Sequence, residues 1–359
     1  MISLSSLPSP IMEPHICTIL TTTTYIPGLV GLVKSLHSTF QPSPAPTLIC
    51  YTTTADVTVA ALESLAPHSV VPSSSVYIYN IFDVLSGRIP SSVDPSFSND
   101  HALDDAKVFV DAPRRLLFLL PVPVCYIDLD VVVLSRDIYK LIELAAENGW
   151  GERYEVEEED KDEKVDTNVV DIDTSKFVCY AVGNFRNKKK IFSPPPPPMG
   201  SHFNCGVTVI PLPSPPTPHS STSFPFLPLY MASMKVISDP KWNDTEEKML
   251  NVVLPNWKGL PIRYNLQKRA YHHAPSVWNG VVDNEEEGGV VVLHYVGGKP
   301  WNTKEELEAI DWEERDCKDV AGRYRELFDI WKYIVGEGGG GGGDREPRLV
   351  PKVPRAVEV

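Results

Sequence analysis

A chain of 359 residues with 42% apolar and 22% charged side chains has enough hydrophobic material for a sizeable core, which excludes wholesale disorder. Its net charge is −14, and it has no basic stripe of the kind that neutralises phosphates, which excludes a typical nucleic-acid binder. The length allows two small domains or one large α/β domain with insertions.

Residues 1–14 lack the basic start and continuous apolar run of a signal peptide and read as a flexible N-terminus. HICTILT (15–21) then reads as a buried strand. Pro27 opens a helix in which Leu29, Val30, Val33, Leu36 and Phe40 keep helical spacing. TLICYTT (47–53), TADVTVAALESLA (54–66) and VYIYN (76–80) follow as strand, helix and strand. That alternation predicts right-handed crossovers and a mostly parallel sheet flanked by helices. The longest apolar run (116–134) is broken by Pro121, Pro123, Asp128 and Asp130, too interrupted for a membrane span. Within it VCYIDLDVVVL (124–134) is expected as a central strand, and VVVLHYV (290–296) as another. A last helix is predicted over roughly 313–335, with Tyr324, Leu327, Phe328, Trp331 and Ile334 on one face.

Three stretches fall outside this core pattern. Residues 152–173 hold eleven acids against three bases, so 150–176 reads as a solvated acidic insertion. Residues 194–228 contain twelve of the 34 prolines and read as a second insertion, unable to pair as a central strand. Such a tract is also of the kind that SH3- or WW-type partners bind, although a plain spacer is the simpler reading. Residues 336–359, with six successive glycines, read as a disordered tail. What remains is one α/β domain over 15–335. Its six cysteines show no paired metal spacing and several sit in strand-like runs, which suggests reduced thiols and a cytoplasmic location.

Asp128-Leu129-Asp130 is the chemically informative motif. Two other D-x-D matches, at 160–162 and 171–173, lie in the acidic insertion and read as solvated charge. Carboxylates within an apolar run are costly to bury unpaired, but at a strand end they could share a divalent cation that grips a diphosphate. The competing reading is a capping or salt-bridged pair. His294 follows VVVL and precedes Gly297, Gly298 and Lys299, which makes it a candidate third ligand. Mixed oxygen and nitrogen ligation suits manganese better than calcium, with magnesium as a second candidate.

In order, YIDLDVVVL, FNCGVTVI, LPIRYNL and HYVGGKPWN resemble the motif series of the family 8 retaining glycosyltransferases, which include glycogenin and the galactinol synthases. The opening TILTTTTYIPGLVGLVKSL resembles that family's first strand and nucleotide-binding turn. The resemblance spans roughly 15–301 without the insertions. It implies a GT-A fold, a UDP-sugar donor, manganese and transfer with retention to an unidentified acceptor. By position, Asp128, Asp130 and His294 match metal ligands, and Lys299 a diphosphate contact. Thr21 and Tyr25 match uracil-side contacts, and Leu129 and Gly297 belong to the implied substrate-binding set. Asn204 matches an amide on the donor sugar, with Gly206 keeping the pocket floor open.

The chain also departs from the family pattern. The family's Asp-Gln pair is here Glu246-Glu247, so the implied catalytic carboxylate of Glu246 reaches one methylene further, and Glu247 joins the substrate-binding set. The family's Ala-x-x-Asp is Ala181-Val182-Gly183-Asn184, and the spacing from His294 to Lys299 is one residue short. A basic residue expected upstream of D-x-D is Lys107 or Arg115, between which spacing does not decide. Self-glucosylation would need a tyrosine near YNLQKRAYHHAPSVW; Tyr271 is there, but His272 and His273 follow it, which argues against that activity. A catalytically weakened nucleotide-sugar-binding protein, acting through its insertions, is the alternative from another functional class.

Overall fold

The computed structural model of the protein describes residues 15–66, 76–85, 112–120, 122–146, 172–175, 177–183, 202–212, 225–238, 245–284, 289–303, 305–307 and 324–336. Residues 1–14, nearly all of the acidic insertion, and the tail after Gly336 lie outside the described residues. Among the described residues no helix is long and apolar enough to cross a membrane.

Strands β1 (Ile16–Leu20), β2 (Leu48–Thr52) and β3 (Val76–Asn80) pair in parallel, with Ile16 opposite Leu48 and Leu48 opposite Val76. Every residue of β1 and β2 is buried, as expected for strands covered on both faces. Between them, α1 (Ile26–Phe40) carries Pro27 in its first turn, where the missing N–H costs nothing. Helix α2 (Ala55–Leu65) is capped by Thr54, whose hydroxyl accepts from Val57 N at 3.3 Å. A short α3 (Ile81–Leu85) follows β3.

The single strand expected over 124–134 is two strands in two sheets. β4 (Val124–Ile127) lies beside β1, and β5 (Val131–Val133) leaves for a smaller sheet. Asp128-Leu129-Asp130 forms the corner between them. A continuous strand would have carried both carboxylates through the sheet interior; turning the chain at them leaves the pair at its rim.

Among the described residues the large sheet has seven strands in the order β3-β2-β1-β4-β7-β6-β8, completed by β6 (Cys179–Gly183), β7 (Phe203–Ile210) and β8 (Trp257–Gly259). Among the described strands of this sheet only β7 runs against its neighbours, antiparallel to both β4 and β6. It sits inside the stretch 194–228, so those bounds for an insertion are too wide. Phe203–Ile210 is free of proline, and the prolines that mark the tract flank it. The run 290–296 is likewise not central. Its strand, β10 (Val292–His294), is the middle of a three-stranded sheet, between β5 and β9 (Leu266–Gln267).

Alternation along the strands divides the core into layers. Leu48, Cys50, Cys125, Ile127, Val207 and Val209 face α1, α2 and α4 (Tyr139–Ala146). The intervening residues Ile49, Tyr51, Val124 and Tyr126 face the 3-10 turn Pro113–Leu119, α5 (Leu227–Ile237) and α6 (Glu246–Val253). The small sheet builds a third cluster with α7 (Ala270–His273), α8 (Pro275–Asp283) and α9 (Arg325–Val335). The helix expected over 313–335 is described from Arg325; its earlier part lies outside the described residues. Leu327, Phe328 and Trp331 are buried as their spacing predicts, and Gly336 ends the helix in the left-handed conformation at φ 82°.

Helix α9 sits on α1 through a glycine. A Cβ on Gly31 would lie 2.5 Å from Nε1 of the buried Trp331, whereas one on Gly280 in α8 would meet nothing within 4 Å. Alanine is intrinsically better than glycine in a helix by about 1 kcal/mol. Gly280→Ala is therefore expected to raise the melting temperature. Gly31→Ala is expected to lower it, because overpacking costs roughly 1–3 kcal/mol and outweighs the propensity gain. Equal rises in both variants, measured by thermal unfolding, would show that α9 does not rest on α1.

Candidate active site

The rim to which the carboxylate corner turns is built from three strand ends. β1 and β4 are parallel neighbours, and their carboxyl ends carry Thr21–Tyr25 and Asp128–Asp130. β7 runs the other way, so its first residues, Phe203 to Gly206, reach the same rim. Ligands of open α/β sheets bind at such carboxyl ends. Asp128 N donates to Gly206 O at 2.8 Å, which ties the corner to β7. On the small-sheet side, Tyr295 N donates to Asp130 O at 2.8 Å.

Each carboxylate at this corner divides its two oxygens. Asp128 Oδ1 lies 2.6 Å from Arg114 Nη2 and accepts from the Tyr126 hydroxyl at 2.7 Å. Its Oδ2 is 3.8 Å from His294 Nε2. Asp130 Oδ2 accepts from Lys299 Nζ, while Oδ1 is 3.2 Å from His294 Nε2. One ligand atom from each of Asp128, Asp130 and His294 lies within 4.8 Å of the others, the one such cluster among the described residues. Two carboxylate oxygens and an imidazole nitrogen, converging at a largely buried rim, fit a divalent cation.

The charges in this cluster sustain one another. Burial works against the charge on Asp130, but Lys299 and His294 outweigh it and hold the carboxyl well below the usual carboxylate range. Burial likewise opposes the charge of Lys299, and Asp130 more than restores it. Lys299 Nζ also donates to Tyr295 O at 3.1 Å and lies 5.9 Å from the centre of the Tyr25 ring. Tyr25 in turn meets Trp301 edge-on at 6.2 Å. Thr21 follows directly on β1, and Gly297, at φ 80°, turns the chain between His294 and Lys299. Leu129 presents its carbonyl to α1 so closely that a Cβ on Gly28 would lie 2.5 Å from it.

Arg114 is the basic residue that the sequence did not identify. Of the two candidates, Lys107 lies outside the described residues, and Arg115 is fully buried elsewhere, donating from Nη1 to Ala112 O at 2.5 Å. Successive residues of a 3-10 turn point about 120° apart, so of two adjacent arginines only the helix's orientation decides which faces the site. Arg114 stacks over Tyr126 at 4.4 Å from its centroid and donates from Nη1 to Cys205 O at 3.0 Å.

Arg114 also engages Glu246, whose implied role was at the donor sugar. Glu246 Oε1 accepts from Arg114 N at 2.6 Å, and Oε2 lies 3.2 Å from Arg114 Nε. Burial raises the Glu246 carboxyl above its ordinary range, and the arginine only partly offsets this. Glu247, one residue on, instead accepts from Asn204 Nδ2 at 3.1 Å. Both glutamates stand at the start of α6, where negative charge suits the helix dipole. Asn251 holds this helix to β7 by exchanging hydrogen bonds with the Phe203 backbone at 2.8 and 3.0 Å.

Asn204 and Gly206 sit on an irregular part of β7. Ala181 pairs with Thr208 but Val182 with Asn204, so three residues of β7, Cys205 to Val207, bulge away from β6. The bulge frees Cys205 O and Gly206 O for Arg114 and Asp128. Gly206 was expected to leave the pocket floor open. Its geometry gives a more specific reason: a Cβ there would lie 2.2 Å from His294 Cε1 and 2.4 Å from Nδ1, so only glycine admits the imidazole. Asn184 lies outside the described residues. Tyr271 is buried, with its hydroxyl donating to Glu326 at 2.7 Å, and is not presented as an acceptor.

Residues 123–305, just over half of the chain, match the model of glycosyl transferase family 8. No curated protein matches the chain. Among solved structures it is similar to the galactosyltransferase LgtC in complex with donor and acceptor sugar analogs, at 14% identity, with 93% of this chain and 100% of that chain covered and a TM-score of 0.46. It is also similar to the WbbM bifunctional glycosyltransferase at 14% identity, covering 86% of this chain and 52% of that one, with a TM-score of 0.46. Mouse xyloside xylosyltransferase 1 is similar at 13% identity, with 79% and 97% covered and a TM-score of 0.42.

The contact between Arg114 and Glu246 makes a prediction about stability. Glu246→Gln turns an amide N–H or a neutral oxygen toward the guanidinium, so a charge-assisted bond is lost at a site where both side chains are 14% exposed or less. The expected loss in urea unfolding is about 1.5–3 kcal/mol. Glu247→Gln keeps an oxygen for Asn204 and is expected to change stability by less than about 0.5 kcal/mol. Equal stabilities of the two variants would show that Arg114 does not depend on Glu246.

Proposed function

The chain belongs to glycosyl transferase family 8, and from that premise we propose a metal-dependent, retaining hexosyltransferase of GT-A fold that draws on a UDP-sugar. The observation that carries this reading is the way the carboxylates divide. Arg114 and Lys299 each occupy one carboxylate oxygen of the Asp128–Asp130 pair, and the remaining oxygens face His294 Nε2. The salt-bridged alternative accounts for Arg114 and Lys299, but each of these takes one oxygen, and the oxygens left over converge on one imidazole nitrogen as a shared cation would require.

Asp128, Asp130 and His294 would hold the cation, with Mn2+ the best fit to the donor set and Mg2+ the second candidate. When bound, such an ion supplies charge neutralisation for a departing diphosphate. On this reading Lys299 adds a second positive charge for the diphosphate, Tyr25 and Thr21 border the uracil, Leu129 and the Gly297 turn line the donor, and Asn204 orients the sugar through its hydroxyls. Arg114 holds Asp128 aimed, through the contact of its Nη2 with Oδ1. Glu246, bound to Arg114, acts by holding that arginine. Three of the four site carboxylates contact Arg114 or Lys299, and Glu247 is hydrogen-bonded to Asn204. This favours attack by the acceptor on the face that the leaving group vacates, over a covalent glycosyl-enzyme.

The engagement of Glu246 by Arg114 also supports a second reading, a nucleotide-sugar-binding protein with weakened catalysis. A screen of UDP-hexoses with the purified full chain separates the two. The expected result is manganese-dependent release of UDP from at least one donor. For Asp130→Asn, calorimetry is expected to show loss of manganese-dependent UDP binding with an unchanged circular dichroism spectrum. Manganese-dependent UDP binding without turnover of any donor would favour the binding protein. Undiminished affinity in a folded Asp130→Asn would remove the metal site from the proposal.

A further inference from the structure

We propose that Asn265 is a positioning residue that determines which ring nitrogen His294 turns toward Asp128 and Asp130. It would do so by relaying an orientation that starts at the backbone N–H of Gly206. This rests on the reading of Asp128, Asp130 and His294 as a metal site.

The relay follows from donor and acceptor identity alone. A backbone N–H only donates, and Gly206 N lies 3.0 Å from Asn204 Oδ1, which must therefore be the amide oxygen. At the other end of the same amide, Asn204 Nδ2 is 3.1 Å from Glu247 Oε2, and an ionised carboxylate only accepts. Asn204 is thus fixed by two independent partners. Its oxygen lies 2.8 Å from Asn265 Nδ2, so Asn265 presents its amide nitrogen there. Its own oxygen is then turned to His294 Nδ1, at 2.8 Å. That nitrogen must carry a hydrogen, so Nε2 is the ring nitrogen available to a cation, 3.2 Å from Asp130 Oδ1 and 3.8 Å from Asp128 Oδ2.

Burial makes the chain of choices rigid. Asn265 is 0% exposed, His294 3% and Asn204 6%, so bulk water cannot substitute for a wrong partner. Flipping either amide would oppose two donors or two acceptors. Local structure presents Asn265 correctly: it ends the 3-10 turn Ile262–Asn265, directly before β9, which pairs with β10 so that Gln267 lies opposite His294. Metal-binding histidines generally donate their second N–H to an oxygen that orients the ring. Here that oxygen belongs to the Asn265 amide, which is set by Asn204.

The test uses the full chain with Mn2+ and UDP, following manganese affinity by calorimetry and the imidazole nitrogen coupling by pulsed electron paramagnetic resonance. Asn265→Leu keeps the volume but removes the oxygen facing His294; it is expected to weaken manganese binding about 10- to 100-fold and to diminish the nitrogen coupling. Asn265→Asp keeps that oxygen and is expected to retain the coupling and bind manganese more tightly than the leucine variant. A role in packing alone predicts the reverse order, because leucine buries no charge. A wild-type measurement stands apart from any variant's folding. With Mg2+ and UDP bound, nitrogen NMR is expected to find the His294 hydrogen on Nδ1, the resonance being identified by its loss in His294→Gln. A hydrogen on Nε2, or Asn265→Leu matching wild type in affinity and coupling, would overturn the inference and leave the metal site standing. Absence of any manganese–nitrogen coupling in wild type would overturn both.

Discussion

Anions buried at the edge of a sheet need counter-charges, and the rest of this site is arranged around that requirement. Removing a carboxylate from water costs several kcal/mol unless it is paired. Asp128 is met by Arg114 and Asp130 by Lys299, from opposite sides of the corner. Each basic group comes from a different part of the chain: Arg114 from the 3-10 turn under the large sheet, Lys299 from the turn after β10. The corner therefore joins the two sheets electrostatically as well as covalently. Because each cation takes one oxygen, the other oxygens are left to converge on His294.

Holding that arrangement takes unusual backbone. β7 is the one antiparallel strand among the described strands of the large sheet, and its bulge supplies carbonyls to both Arg114 and Asp128. Gly206 lies within the bulge and gives room to the imidazole, while its N–H starts the orientation of Asn204. Asn251 fastens α6 to the start of the same strand, which brings Glu246 and Glu247 to opposite tasks, one on Arg114 and one on Asn204. Bulges near active sites commonly re-aim side chains in this way. Here one bulge serves a backbone acceptor, a backbone donor and a steric gap at once.

Periodicity in the sequence was sufficient for the first half of the fold. Alternating apolar strands and helically spaced Leu29, Val33 and Leu36 reflect burial against a flat sheet, and burial patterns are written locally. The motif order likewise brought Asp128, Asp130, His294, Asn204 and Lys299 together, because each stands at a strand end or just beyond it. Strand membership was less legible. Apolar runs at 124–134 and 290–296 look like central strands from composition, yet the first divides at its carboxylates and the second pairs in the small sheet. The alternation of FNCGVTVI marks a strand, but a proline-rich window drawn over 194–228 swept it into an insertion, since a window average cannot see eight proline-free residues between prolines.

Side-chain partners were the part that only the assembled chain could decide. Arg114 and Arg115 are adjacent and chemically identical, and only the rotation of a 3-10 turn against the large sheet sends one to Asp128 and buries the other elsewhere. Glu246 and Glu247 differ in the same way. Asn265 is one polar residue of the LPIRYNL motif, and its task emerges only when β9 lies beside β10 and His294 comes within hydrogen-bonding distance. The sequence by itself determined the layers of the domain and the kinds of group at its rim, because hydrophobic period and residue type are local properties. Which atom meets which was decided by tertiary structure, because hydrogen bonds and ion pairs depend on distances of about 3 Å between segments that no spacing rule connects.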